Sequence, residues 1–396
     1  MTRLERMFAW RLPALLAAVM FAGCAAPPSK TSTSEPSGVV FYPPLPNPPR
    51  IQHLLTLSGE HDVNPPSSGF EQFVLGDDKQ GQQLKQPYGV GIFDGKLYVA
   101  DSRAPGLAVF DLVQRRFSVV TGSGNGRMKR PINVTIDGDG TKYVTDTGRD
   151  QILVFDRDDR FLAAYGTDGQ FKPVDTAIAG ERLYVVDIQH HQVQVLEKKT
   201  GKMLFTFGKA GSAIGELFHP TNIAIGPGGD VYIVETSNFR VQRFTPDGKP
   251  VRVYGEAGNE LGNFSRPKGI AIDRTGRLYV GDSAFENIQI FDSDGNLLLF
   301  FGQPGDKSGG LNLPAGVTID YANVDLFRRY ADPGFNIDYV VMVASQFGPN
   351  KVDVFGFGKM SGFNYPPEVK LGPRPPPRAT ASAARLNQEP TTAPGR

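Results

Sequence analysis

The stretch Pro267-Lys268-Gly269-Ile270-Ala271-Ile272, followed by Leu278-Tyr279-Val280-Gly281-Asp282, decides the fold because variants of it recur through the chain. A proline opens an apolar run at Pro87, Pro131, Pro173, Pro220, Pro267 and Pro314, spaced 44, 42, 47, 47 and 47 residues apart. A period of that size marks a repeat architecture in which each unit buries its faces against its neighbours. After the prolines, apolar residues alternate with the period of a strand: Val90 and Ile92, Val134 and Ile136, Ile223 and Ile225, Ile270 and Ile272, Val317 and Ile319. The residues between are small (Gly91, Thr135, Ala177, Ala224, Ala271, Thr318), as expected if six such strands crowd one axis.

A second strand follows in each unit, as in Leu97-Tyr98-Val99-Ala100-Asp101, often after a turn such as Asp137-Gly138-Asp139-Gly140. The third strand is expected to end at Phe110, Phe155, Leu196, Phe244, Phe291 and Phe355. In five units that residue lies nine positions after an acid (Asp101, Asp146, Asp187, Glu235, Asp282); the sixth unit has Gln346 there. A fourth strand closes each unit with a pair such as Tyr165-Gly166, Phe207-Gly208, Tyr254-Gly255 or Phe301-Gly302.

Over about residues 51–357, these units resemble NHL repeats, the four-stranded blades of a β-propeller. The resemblance implies an all-β, six-bladed β-propeller. Nothing after Gly356 reads as a fourth strand for the last unit, whereas residues 51–59 do. The N-terminal segment is therefore expected to complete blade six, closing the ring and covering edges that an open array would expose.

The rest of the chain gives an address. Net charge is +1, which offers no steering toward nucleic acid. Arg3, Arg6 and Arg11 precede an apolar stretch, 12–22, that is too short to span a bilayer. It ends in Phe21-Ala22-Gly23-Cys24, which resembles the lipobox of bacterial lipoproteins. That resemblance implies removal of a signal peptide, 1–23, and acylation of Cys24 with palmitate-type chains; several chains anchor stably where one does not. Ala25, where retained inner-membrane lipoproteins carry Asp, implies the outer membrane, facing either the periplasm or the surface. Cys24 is the only cysteine, so the mature chain has no disulfide, no Cys-based metal site and no Cys-x-x-Cys-His haem attachment. Residues 24–50, with Tyr42-Pro43-Pro44-Leu45-Pro46-Asn47-Pro48-Pro49, read as an extended tether. Residues 361–396 read as a disordered Pro/Ala/Arg-rich tail, leaving 51–360 for the propeller.

Blade connectivity collects the divergent loops on the face where first strands begin, here the top, and function concentrates in such loops. That face would carry Arg103, Arg149, His190, His191, Asn238, Arg240, Glu286, Asn287, Asn350 and Lys351, plus an insertion at 60–86 with Phe70, Phe73 and Val74. The second residue after each proline reads Gly89, Asn133, Asp175, Asn222, Gly269 and Gly316. Asn133, Asp175 and Asn222 offer oxygen ligands of a kind suited to Ca²⁺, but one carboxylate is a weak charge count for that cation, and capping of the strand starts is the preferred reading.

Two functions follow. The first is a binding or scaffold module for an envelope protein or glycan, monomeric and accessory, for example, to exported electron-transfer assemblies. The second is a metal-assisted hydrolase or lactonase over the central channel, with Arg149 and Arg240 orienting an anionic substrate. Lactonase-type propellers hold a divalent cation with inward carboxylate and amide groups. The NHL amidating lyases carry metal-binding histidines directly after repeat prolines, where this chain has Tyr88, Ile132, Val174, Thr221, Lys268 and Ala315. That departure argues against the lyase reaction. No nucleophile elbow, phosphate loop or zinc motif occurs, and the recurring acids read as structural caps. His53, His61 and His219 lie in different units with no shared ligand pattern. The sequence thus favours binding over catalysis. Opposite the top, residues 321–338 replace a short turn, with Leu326, Phe327 and Tyr330 expected on a short helix that plugs the channel or docks a partner.

Replacing Cys24 with Ser is expected to abolish incorporation of labelled palmitate and to move the protein from the detergent phase to the aqueous phase.

Overall fold

The computed structural model describes residues 38–64 and 81–366; the lipobox segment and Phe70, Phe73 and Val74 lie outside them. Six antiparallel sheets each contribute four consecutive strand positions. Their innermost strands (Pro87–Phe93, Pro131–Ile136, Pro173–Ala179, Pro220–Ile225, Pro267–Ile272 and Pro314–Asp320) touch in sequence order, and the last touches the first. The fold is a six-bladed β-propeller in which blade one faces blade four across the axis.

Closure follows the expected route. Ile51–Leu57 pairs antiparallel with Val352–Met360 and supplies the fourth strand of blade six. Ile51, Leu54 and Leu57 of this strand are buried, which is worth roughly 5–9 kcal/mol at ordinary values for aliphatic burial. His53 fastens it further, its Nε2 lying 3.0 Å from Asp353 Oδ1. Phe41–Tyr42, within the stretch read as tether, adds a two-residue fifth strand by pairing with Ile51 and Gln52. On the other side of the tail boundary, the Tyr365 hydroxyl donates to the Pro49 carbonyl at 2.8 Å.

The recurring acids act as clamps. Each repeat proline pairs in register with the residue closing the second strand: Pro87 with Asp101, Pro131 with Asp146, Pro267 with Asp282. Asp146 accepts from the Lys129 and Arg130 backbone N–H groups just before its proline and from Gly148 just after itself, at 2.6, 2.9 and 2.9 Å. Proline has no N–H to satisfy, so the carboxylate serves the donors around it. Blade six departs from the expected spacing. Pro314 pairs with Ser345, not Gln346, and Ser345 is the residue whose hydroxyl accepts the Asn312 N–H. The count of nine misplaced the position because the top hairpin of blade six has five residues, 346–350, where blade five has four, 283–286. Phe355 is also not the end of its strand, which runs on to Met360 against the long strand Phe335–Ser345.

The insertion forms a helical turn, Val324–Phe327, continued by a 3₁₀ turn, Arg328–Tyr330. Its helix packs outside the channel, while Ala322 and Asn323 line the channel's lower end. Val324 and Phe327 are buried in the core shared by blades six and one, beside Leu97, Leu112 and Val340. Asn323 Oδ1 accepts the Gly95 N–H at 2.9 Å, which pins the insertion to the rim of blade one. Of the three residues expected to cluster, Phe327 is buried and Tyr330 is exposed.

Starting the chain after Leu57 is expected to lower the unfolding midpoint by more than 10 °C, or to abolish cooperative unfolding, on removal of roughly 5–9 kcal/mol of burial. Calorimetry checks this; an unchanged midpoint would mean that the ring closes without the strand.

Candidate functional site

The axial channel is a cavity of about 840 Å³. It is walled by the innermost strands and reaches from Asn133, Asp175 and Asn222 at one end to Phe93, Asp94, Asp137, Arg157, Asp320 and Asn323 at the other. The first three sit at strand starts, so that end lies under the top face. The second group lies in bottom-face turns, where the cavity meets solvent.

The top end is narrow because the strands converge there. A Cβ on Gly316 would stand 2.2 Å from the Tyr88 carbonyl oxygen, and one on Gly89 would stand 2.0 Å from Asn133 Oδ1. Glycine at these positions is a requirement of close approach. Tyr88 then closes the opening. Its side chain crosses the axis from blade one to blade four, where its hydroxyl donates to Asn222 Oδ1 at 3.1 Å. Burial raises the Tyr88 pKa well above its ordinary value, and the nearby Asp175 charge adds to this, so the phenol stays protonated as a donor. Lys268 covers Tyr88 from blade five, its ammonium 5.6 Å from the ring centroid and donating to Gln346 Oε1 at 2.9 Å. Burial, with Arg266 adding repulsion, brings the Lys268 pKa down to about 8.

Asn133, Asp175 and Asn222 therefore come together as expected, but beneath a stopper and engaged with protein. Asp175 Oδ1 accepts the Thr176 N–H at 2.7 Å; Oδ2 accepts the Ile223 N–H at 3.0 Å and Asn222 Nδ2 at 3.2 Å. Asn133 Oδ1 accepts the Val134 N–H at 2.8 Å. These are strand-start caps and inter-blade ties. A cation at Asp175 would compete with three N–H donors already in place. Among the described residues, no three His, Cys, Asp or Glu side chains form a metal-binding group.

The other candidates stand apart on the top rim, holding their own loops. Arg240 donates to Glu235 Oε1 at 2.7 Å and to the carbonyls of Ser212, Ala213 and Glu216 at 2.8, 3.0 and 3.1 Å. Arg149 donates to Gln151 Oε1 and to the Arg127 carbonyl at 3.1 and 2.8 Å. Orienting a substrate anion would cost these guanidinium groups the bonds that order their loops. His190 Nδ1 lies 2.6 Å from Oδ2 of the fully buried Asp187, and its Nε2 lies 3.5 Å from Gln189 Nε2.

Two features escape periodicity. Tyr88 and Lys268 signal only a departure from a histidine pattern, yet they close the channel. His191 and His219, which lie in different units, meet across the boundary of blades three and four: His191 Nδ1 accepts the His219 N–H at 3.0 Å, and the Phe218 ring stacks on His191 at 5.1 Å. Phe218, His219 and Phe239 are exposed there, at consecutive top loops. Burial lowers the His191 pKa, helped by repulsion from His219. Adjacency of top-loop positions in neighbouring blades was the available signal.

No protein-family profile matches the chain. Among solved structures, it is similar to a gluconolactonase from Xanthomonas campestris (14% identity over 81% of this chain and 97% of that one, TM-score 0.53). It is also similar to an auxiliary nutrient binding protein from Bacteroides ovatus (13%, covering 69% of each chain, TM-score 0.51). A third is the calcium-binding protein regucalcin from Agrobacterium tumefaciens (13%, 71% of this chain and 92% of that one, TM-score 0.50). The likeness is one of fold.

Burial, partly offset by the N–H groups of Ile223 and Thr176, raises the Asp175 pKa to about 7. Its contribution to stability is whole below the ordinary carboxylate value of 3.8 and is lost as pH rises to about 7. The Asp175 carboxyl carbon resonance is expected to titrate near 7; a midpoint near 4 would mean that water reaches it freely.

Proposed function

We propose that this propeller is a binding and scaffold module of the bacterial cell envelope, tethered through acylated Cys24, that captures a protein or glycan partner on its top face. The fold is shared by a nutrient-binding protein and a gluconolactonase, so fold alone carries no choice between binding and hydrolysis. The observation that carries the reading is the exposed Phe218 and His219, tied to Ser237, with Phe239 exposed two residues further along the same top loop. Rigid aromatic rings with a polar rim are the usual anchors of a recognition surface. Backbone order keeps the entropic cost of binding there low, since His191 and His219 are tied to each other and His219 Nδ1 to Ser237 Oγ at 2.9 Å. The hydrolase reading has less support. Its metal ligands would be Asn133, Asp175 and Asn222, which lie below Tyr88 and whose side-chain oxygens already accept N–H or O–H donors.

In cells, a photo-crosslinking residue at Phe239 is expected to capture a discrete partner that the same probe at Leu162, on an outer strand, does not. The double substitution Phe218→Ala, Phe239→Ala is expected to reduce that capture at least tenfold with an unchanged unfolding midpoint. Equal capture from both probe positions, or capture that survives the double substitution, would place recognition elsewhere.

A further inference from the structure

The channel has a chemistry of its own, independent of the top-face reading. Its volume of about 840 Å³ lies within the range of small-molecule sites, which are largely apolar with a few fixed polar groups. One isoleucine from every blade faces it: Ile92, Ile136, Ile178, Ile225, Ile272 and Ile319, each only half-buried. These six isoleucines pack on the cores between blades but keep part of their surface toward the lumen, which an apolar guest would remove from water.

The blind end is polar, and one group in it is unused. Asn133 is 8% exposed, and its Oδ1 is taken by the Val134 N–H, but its Nδ2 has no hydrogen-bond partner among the described residues. Asn133 lines the cavity wall, so this donor is left to the solvent of the lumen and is free to meet a guest's acceptor. Asp175, at the same level on the next blade, is an acceptor with lone pairs beyond those its three N–H partners use. A donor and an acceptor side by side match a head group that both accepts and donates, which is what a hydroxyl does. A carboxylate head would be repelled by Asp175 above pH about 7, where that group is ionised, and would leave its own second oxygen unsatisfied among isoleucines. The mouth adds little net attraction for a cation, because Asp94 faces Arg157 at 3.8 Å and Asp137 holds Lys198 at 2.6 Å.

We infer that the channel is a binding site, loaded from the bottom face, for a slender neutral apolar molecule ending in a hydroxyl, with the hydroxyl seated between Asn133 and Asp175 and the chain lying along the isoleucine ring. Strand rise sets the scale: Asn133 to Asp137 spans about 13 Å at about 3.3 Å per residue. A medium-length aliphatic alcohol fits that depth.

Decan-1-ol, decanoate, decylamine and decane serve as probes on the purified mature protein, read by the unfolding midpoint and by calorimetry. Decan-1-ol is expected to give a saturable rise in midpoint, with decane, decanoate and decylamine at least fivefold weaker. Asn133→Ala is expected to weaken decan-1-ol about fivefold, the worth of one hydrogen bond. Ala224→Leu, which fills the lumen from its wall without touching the polar end, is expected to abolish binding. Should Asn133→Ala fail to fold, the head-group series and Ala224→Leu still decide. The inference is overturned if no probe saturates, if the four heads bind alike, or if Ala224→Leu binds like the parent, which would put the alcohol on the outer surface.

Discussion

Everything in this molecule depends on one long-range pairing, that of Ile51–Leu57 with Val352–Met360. Blades of four strands can stack one on another without limit; only a strand from the far end of the chain makes them a ring. The contact between His53 and Asp353 joins residues 300 apart in sequence, and the entropy of closing so large a loop must be offset by local gains. Three buried aliphatic side chains and a ladder of backbone bonds supply them. Once the ring is closed, the six inner strands have no freedom to splay. The steric demands at Gly89 and Gly316, and the reach of Tyr88 across the axis, are consequences of that closure.

The parts that sequence made legible are those that every blade shares. A proline at each strand start, an acid fifteen or so residues on, and a small residue between two apolar ones all answer to contacts within a blade or with its immediate neighbour. Such contacts repeat whenever the blade repeats, so period reveals them. The closing strand was legible for the complementary reason: one unit lacked a part, and the chain had a spare. Gln346 was misassigned because counting assumes equal hairpins, and blade six has one residue more in its top turn.

The parts that were not legible break the repeat. Tyr88 meets Asn222 from the opposite blade, and nothing in a 47-residue period says what faces what across the axis. The polar trio was found by its departure from glycine, but its depth was not: a residue at a strand start lies at a channel mouth only if nothing larger covers it. The insertion of blade six illustrates the same point. Its helical character followed from the spacing of Leu326, Phe327 and Tyr330, while its resting place was set by a cleft between blades six and one that only the folded ring creates.

The two-residue strand Phe41–Tyr42 has a mechanical meaning. It lies outside the closing strand and is reached first along the chain from the N-terminus. The His53 N–H donates to the Val40 carbonyl and the Arg50 N–H to the Tyr42 carbonyl, both at 2.9 Å, while the Tyr42 hydroxyl donates to Gly309 at 3.2 Å. Tension arriving from that end must peel these few bonds before it loads the strand that holds the ring shut. Under such a load the pair would give way by a hairpin before the ring opened.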